Sequence, residues 1–256
     1  EVAEVADDFQ IEDGQIPETY VDYDLNEWDE YAVEEAVQIK EDGEDVEVVT
    51  ATIGPERAEE TIRMALAKGA DRAVRVWDDA IAERDLLDVT AKVRLFEAIV
   101  EAEAPDLILT GVQANDDSFG ATGVALAQAV GYQWAAVVSA LDLETADEVA
   151  HVRRELEGGV EELVDIDLPA VLTIQTGINE PRYASLRGIR QAQSKEIAAQ
   201  TLDDLGLTPD DVAGDLELRD LYEPETESEA TYFEGDADEQ AGQLAETLRD
   251  MGVAAE

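Results

Sequence analysis

The sequence predicts an α/β domain: a parallel-core sheet sandwiched by helices, with an added antiparallel hairpin region and a C-terminal arm. Three observations carry this prediction. From Asn26 onward helical and strand patterns alternate, as they do when crossover helices link parallel strands. The stretch Asp106-Leu107-Ile108-Leu109-Thr110-Gly111 is a continuous apolar run bounded by turn residues, the pattern of a central strand buried on both sides. Between 136 and 175 the pattern changes to short consecutive strands, with Gly158-Gly159 placed as a hairpin turn.

Taken in order, Asn26 can cap the first helix, Asp29 suits the positive end of its dipole, and Val33, Ala36 and Val37 form its apolar stripe. A strand over 46–52 follows. Gly54 and Pro55 open a second helix with Ala58, Ile62, Ala65 and Leu66 buried, and Gly69 closes it. Next come a strand over 73–77 and a longer helix over 86–104 carrying Leu87, Ala91, Val93, Leu95 and Ile99, which Pro105 stops. After the strand over 106–111 and a polar loop, Asp117 or Ser118 is placed to cap a helix that contains Val124, Ala125, Leu126 and Val130 and ends at Gly131. Strands over 136–143, 148–157, 160–166 and 170–175 read as a meander, and a short helix over 185–193 follows. Beyond about Thr201 the chain is acidic and dotted with Pro and Thr, with one amphipathic segment at 243–251. The expected organisation is therefore a domain over 1–200 and an arm over 201–256 that packs on another chain; a disordered acidic extension is the alternative.

Composition narrows the function. The chain has 256 residues and is 45% hydrophobic, enough for an ordinary core, yet 64 acidic against 17 basic residues give a formal charge of -47. Self-repulsion on this scale opposes folding in dilute buffer, whereas at about 1 M salt the Debye length falls to roughly 3 Å. With only four Lys beside thirteen Arg, the chain reads as a halophilic protein. Such a surface repels phosphate backbones and anionic lipid, so no nucleic acid and no membrane partner is expected. The absence of Cys removes disulfides, thiolate nucleophiles, iron–sulfur ligation and cysteine zinc sites, so a redox role would need an organic cofactor. No apolar run approaches 20 residues and Glu1 to Asp8 lacks a signal pattern, which points to a cytoplasmic location.

In a parallel sheet, ligands sit outside the carboxyl ends of strands, so the loop after Leu109 is the first candidate site. It reads Gly111, Val112, Gln113, Ala114, Asn115, Asp116, Asp117, Ser118, Phe119, Gly120, Ala121, Thr122, then Gly123. A turning glycine, polar side chains and small residues opening a helix make an anion site of the kind that receives nucleotide phosphates. It is neither a Walker loop nor a G-x-G-x-x-G fingerprint, and a plain capped loop is the alternative. Asp116 and Asp117 would repel phosphate, so they are assigned to capping the helix or to a ribose hydroxyl. A second polar corner, Asn26, Glu27, Trp28 and Asp29, could contact adenine or ribose, or simply cap and pack. The third feature is Asn179, Glu180, Pro181, Arg182, Tyr183, Ala184, Ser185, Leu186, Arg187 and Gly188, with Arg190 just beyond. Three Arg close together in so acidic a chain suggest a partner contact or a bound anion, with local salt bridging as the alternative. The only His, His151, lies in a charged strand and reads as a surface residue; no catalytic constellation and no metal site emerge.

At these places the sequence resembles the electron transfer flavoprotein beta subunit family, over nearly the whole chain. Arg154, Glu157-Gly158-Gly159, Glu162, Val164 and Pro169-Ala170-Val171-Leu172-Thr173 are similar to that family's hairpin, and Asn179 to Leu186 to its most distinctive stretch. The runs Glu60 to Arg72 and Gly111-Val112-Gln113-Ala114 match too. The resemblance implies an adenine nucleotide alpha hydrolase-like, Rossmann-like fold and no enzymatic activity of its own. It implies a heterodimer with an alpha subunit, a shared FAD, and AMP or a second FAD held by Asn26 to Asp29, Ile53 and Gly111 to Thr122. Flavin-dependent dehydrogenases would dock on 179–188, with Leu186 as anchor, and electrons would leave to a quinone reductase-type acceptor. Gly120 and Ala121 stand where the family has Gly and then an amide-bearing Gln, so their grip on phosphate could come only from the backbone. The chain begins at Glu1-Val2-Ala3, similar to the tail of the family's first strand and loop, so that strand is expected to be missing before Glu1. Rival readings are a bifurcating subunit with its own redox-active FAD, an ATP-using enzyme on the same fold, and a stress-type nucleotide-binding homodimer.

Overall fold

The structure, a computed structural model, describes residues 2–12, 14–42, 46–144, 147–223 and 230–252. The chain divides into two units, Glu1–Leu221 and Tyr222–Glu256. In the first, β1 (Val2–Val5) and β2 (Val21–Asp24) pair antiparallel and lead into α1 (Glu27–Glu41). There follow β3 (Val49–Ile53), a 3-10 turn at Glu56–Ala58, α2 (Glu59–Lys68), β4 (Arg72–Val76), the single turn α3 (Asp79–Ala82) and α4 (Val89–Glu103). The second half holds β5 (Leu107–Gly111), α5 (Thr122–Val130), β6 (Gln133–Glu144), β7 (Val149–Leu156), β8 (Val160–Asp167), β9 (Ala170–Ile174), α6 (Leu186–Ala192) and β10 (Ile197–Gln200).

Two larger sheets result: an all-parallel one in the order β10-β4-β3, and a mixed one in the order β5-β9-β6-β7-β8, parallel from β5 through β6 and antiparallel beyond. The α/β class is as the sequence predicts, but the strand order corrects the meander. Strand β9 does not line up beside β8; it returns to lie between β5 and β6, parallel to both. The side chains give the reason. All five residues of β9 are buried, so it needs neighbours on both sides, whereas β8 is acidic, mostly exposed, and tolerates an edge. Gly158 and Gly159 do turn the β7–β8 hairpin, both at positive φ of 77° and 73°.

The run 106–111 differs from its expected place. Strand β5 ends the mixed sheet with β9 as its one hydrogen-bonded neighbour among the described residues, and its residues are all half-buried. Apolar composition states a need for cover without saying which neighbour supplies it. Helix α5 also starts later than Asp117 or Ser118: Ser118 and Gly120 take left-handed backbone (φ 53° and 59°), which cannot continue a helix, and the cap position falls on Ala121.

The core forms in clusters on the faces of the two sheets. Leu172, Ile174, Val138, Ala150 and Val152 pack with Ala32 of α1. Val74, Val76, Ile81, Leu95 and Ile99 pack with Leu202 and Val212. Residues just past 200 are thus fixed in the first unit, and Asp88, which caps α4, also accepts the Asp215 and Leu216 amides. In the second unit, α7 (Ala237–Asp250) begins with a capping box between Asp236 and Glu239. None of its residues is buried, and Leu244, Leu248 and Met251 are exposed on one side.

Candidate functional site

The polar corner at the start of α1 and the loop after β5 are far apart in sequence, and the fold joins them. Asn26 is 1% exposed and occupies the cap position of α1, yet its side chain does not cap the helix. Its amide nitrogen donates to the Gln113 carbonyl (2.8 Å) and to Asp29 (2.9 Å), and its oxygen accepts the Asn115 amide (3.2 Å). Asp29, placed by the sequence in the first turn, accepts the Gly111 amide at 2.7 Å. Gly111 is required by proximity: a Cβ there would lie 2.5 Å from Trp28 Cβ and 3.0 Å from the Trp28 carbonyl carbon. The half-buried Trp28 donates its indole N–H to Gln175 Oε1 at 3.2 Å, tying the corner to the end of β9. Glu27 is exposed.

The rest of the loop is shaped by its own side chains. Val112 N–H bonds to the Ile174 carbonyl (3.2 Å) and Ser118 N–H to that of Ala114 (3.0 Å). Asp116 accepts the Asp117 amide (2.7 Å) and Asp117 accepts that of Phe119 (3.0 Å), so the two carboxylates brace the turn and neither caps α5. Asp117 also pairs with Lys92 on the first turn of α4, whose ammonium lies 6.0 Å from the exposed Phe119 ring. From Phe119 through Ala121 the loop is exposed, and no side-chain hydrogen bond caps α5. Gly123 is buried where a Cβ would strike Thr110 and Thr173, so α5 sits close on β5 and β9. Ile53 stands in the other sheet, at the carboxyl end of β3, and packs against the Val76 and Leu95 cluster.

The third segment is fastened to α1 and α2. Asn179 donates to the Tyr31 carbonyl (3.1 Å) and to Glu35 (2.8 Å). Arg182 points inward, onto Glu34 and Glu41, so local salt bridging describes this arginine. Arg187 and Arg190 are exposed. Glu180 is exposed, Pro181 half-buried, and Ala184 packs near Ile62 and Leu66. Ser185 caps α6 by accepting the Gly188 amide at 3.0 Å. Tyr183 and Leu186 project outward, 98% and 79% exposed.

Burial alone would push the Glu34 carboxyl up, but hydrogen bonds from Arg182 and Gln38 outweigh it and hold the pKa at about 2. Its neighbour Glu35 is raised, because burial dominates over the Asn179 hydrogen bond. The sequence reading missed Lys92, Gln175 and the buried pair Glu34 and Glu35. Signals existed for some of them. Lys92 is one of four lysines and sits in a first helical turn, where the dipole disfavours a cation; Glu34 and Glu41 stand seven residues apart, on one helix face. His151 is a partly exposed surface residue bonded to Asp165 at 2.7 Å, and no cluster able to hold a metal occurs among the described residues.

Sheets with parallel cores flanked by helices, and a loop-and-corner junction at a strand's carboxyl end where such folds hold ligands, define an α/β protein of the nucleotide-binding kind of architecture. The electron transfer flavoprotein domain family matches residues 13–205. The chain is 45% identical over 257 residues to the electron transfer flavoprotein subunit beta of Methylophilus methylotrophus, covering 98% of this chain and 96% of that one. It is 41% identical to the Bradyrhizobium diazoefficiens subunit beta over 78% of this chain and 76% of that one, and 34% identical to the Bacillus subtilis subunit beta over 93% and 91%. The chain belongs to the electron transfer flavoprotein beta subunit family, whose members serve an electron carrier rather than an enzyme. No helix among the described residues is long and apolar enough to cross a membrane.

Proposed function

We propose that this chain is the nucleotide-holding half of a cytoplasmic heterodimer with an electron transfer flavoprotein alpha subunit. It binds AMP in the junction of the Asn26 corner with the Gly111 to Thr122 loop, and it helps the alpha subunit hold a shared FAD, which when bound supplies the redox chemistry. The observation that carries the reading is the junction itself: Asn26 spans Gln113 and Asn115 while Asp29 holds Gly111. These residues suit an adenylate. Asn26 and Asp29 set the loop, the start of α5 at Thr122, which no side chain caps, suits a phosphate, and Lys92 offsets the Asp117 charge nearby. Tyr183 and Leu186 on the 179–188 loop present an apolar contact to flavin-dependent dehydrogenases, and electrons pass on to a quinone reductase-type acceptor. The exposed stripe of α7 gives the C-terminal arm a face with which to pack on the alpha subunit.

The test is to co-express the chain with its alpha subunit, purify the pair in molar salt, and quantify released nucleotides by chromatography. One FAD and one AMP per pair is the expected result. Two FAD would instead assign the bifurcating form, and neither flavin nor adenine compound would overturn the reading.

A further inference from the structure

We propose that Arg182 is a positioning residue: it locks the 179–190 segment into the one shape in which Tyr183 and Leu186 meet a dehydrogenase. The inference rests on the docking reading above and concerns what holds that surface rather than what touches the partner. In a chain of charge -47, an arginine in a docking loop would be expected to reach for the partner. The guanidinium of Arg182 is instead consumed internally. Its Nε and one terminal nitrogen donate to the two oxygens of Glu34 (2.8 and 3.0 Å), and its terminal nitrogens donate to those of Glu41 (2.7 and 2.8 Å). Its backbone amide adds a bond to Glu34 (3.1 Å), and its carbonyl accepts from Lys68 (2.7 Å). Both carboxylates come from one face of α1, and a planar fork is the side chain whose geometry bridges two of them. A lysine would satisfy one.

Two further fastenings flank this clamp. Asn179 is tied to α1 before it, and after it α6 lies so close on α2 that a Cβ at Gly188 would collide with the Ala67 carbonyl. Tyr183 and Leu186, the two most exposed large apolar side chains of the segment, lie between the clamp at Arg182 and the close approach at Gly188. A segment already ordered in the free protein loses little entropy on docking, so the clamp raises affinity without touching the partner.

The experiment uses the purified heterodimer and, as probe, a flavin-dependent dehydrogenase isolated from the same cells by its ability to reduce the heterodimer's flavin. Arg182→Lys should raise the KM for the heterodimer about tenfold with kcat within about twofold, and speed amide exchange across 179–190. Glu41→Gln, at an exposed position that keeps the fold, should raise KM by about threefold through the loss of one arm. Leu186→Ala should raise KM with exchange at 179–184 unchanged. If only Leu186→Ala alters KM, or if exchange quickens while KM stays put, the clamp is structural and the proposal is overturned with docking intact. If Leu186→Ala also leaves KM unchanged, the docking reading falls first and takes the proposal with it. Should Arg182→Lys not fold, Glu41→Gln decides alone.

Discussion

The Asp29 carboxylate accepts the Gly111 amide at 2.7 Å, across 82 residues of sequence, and so fixes the start of α1 against the carboxyl end of β5. That approach leaves no room for a side chain. Gly111→Ala would set a methyl 2.5 Å from Trp28 Cβ, and the forced shift is expected to destabilise the protein by roughly 1–3 kcal/mol. Urea unfolding in molar salt reads the change; an unaltered midpoint would show that the corner gives way freely.

Asn26→Asp tests the junction from the other side. The carboxylate would replace a buried donor with an acceptor facing the Gln113 carbonyl and Asp29. Leaving such groups unpaired costs about 1–3 kcal/mol or more. The variant should be less stable and carry less adenine nucleotide per heterodimer. Nucleotide content equal to that of the unmutated pair would remove Asn26 from the site.

Glu34 governs part of the acid limb of stability. Its pKa in the fold, about 2, lies below the ordinary 4.5, so its contribution is complete above about 4.5 and is lost as pH falls through about 2. Comparing unfolding at pH 6 and pH 3, the unmutated protein should lose more stability than Glu34→Gln. Equal losses would deny the Arg182 pairing its energetic role.

His151 is the sole histidine, so its titration should be followed by a single imidazole signal in NMR. The Asp165 hydrogen bond raises its pKa above the ordinary 6.5. Because the folded value is raised, its contribution is present below about 6.5 and disappears as pH climbs through the folded pKa. Asp165→Asn should move the titration back down; an unmoved titration would place the cause in Glu144 or Asp142.

Salt should stabilise the whole protein. With a charge of -47, raising salt from about 0.1 M to 1 M shortens the Debye length from roughly 10 Å to 3 Å, and Tm should rise steeply over that range. A Tm indifferent to salt would contradict the halophilic reading.

Local rules made much of the fold legible. The alternation of helix and strand, the Gly158-Gly159 turn, the short helix just after 185 and the Gly69 stop all depend on residues within a few positions of one another, and the structure contains each. The place of β9 depended instead on which strand most needed two neighbours, which no local window records. The inward turn of Arg182 was hidden for a similar reason, since its carboxylates lie more than 140 residues earlier.

By itself the sequence determined the α/β class, the acidic surface, the lack of cysteine chemistry and the three segments worth watching, because composition and periodicity are properties of the chain. Only the tertiary structure decided that Asn26 and Asp29 close on Gln113 and Gly111, and that one arginine of the three is spent on α1. Hydrogen bonds act over about 3 Å whatever the separation along the chain, so which donors meet which acceptors is set when the sheets and helices pack.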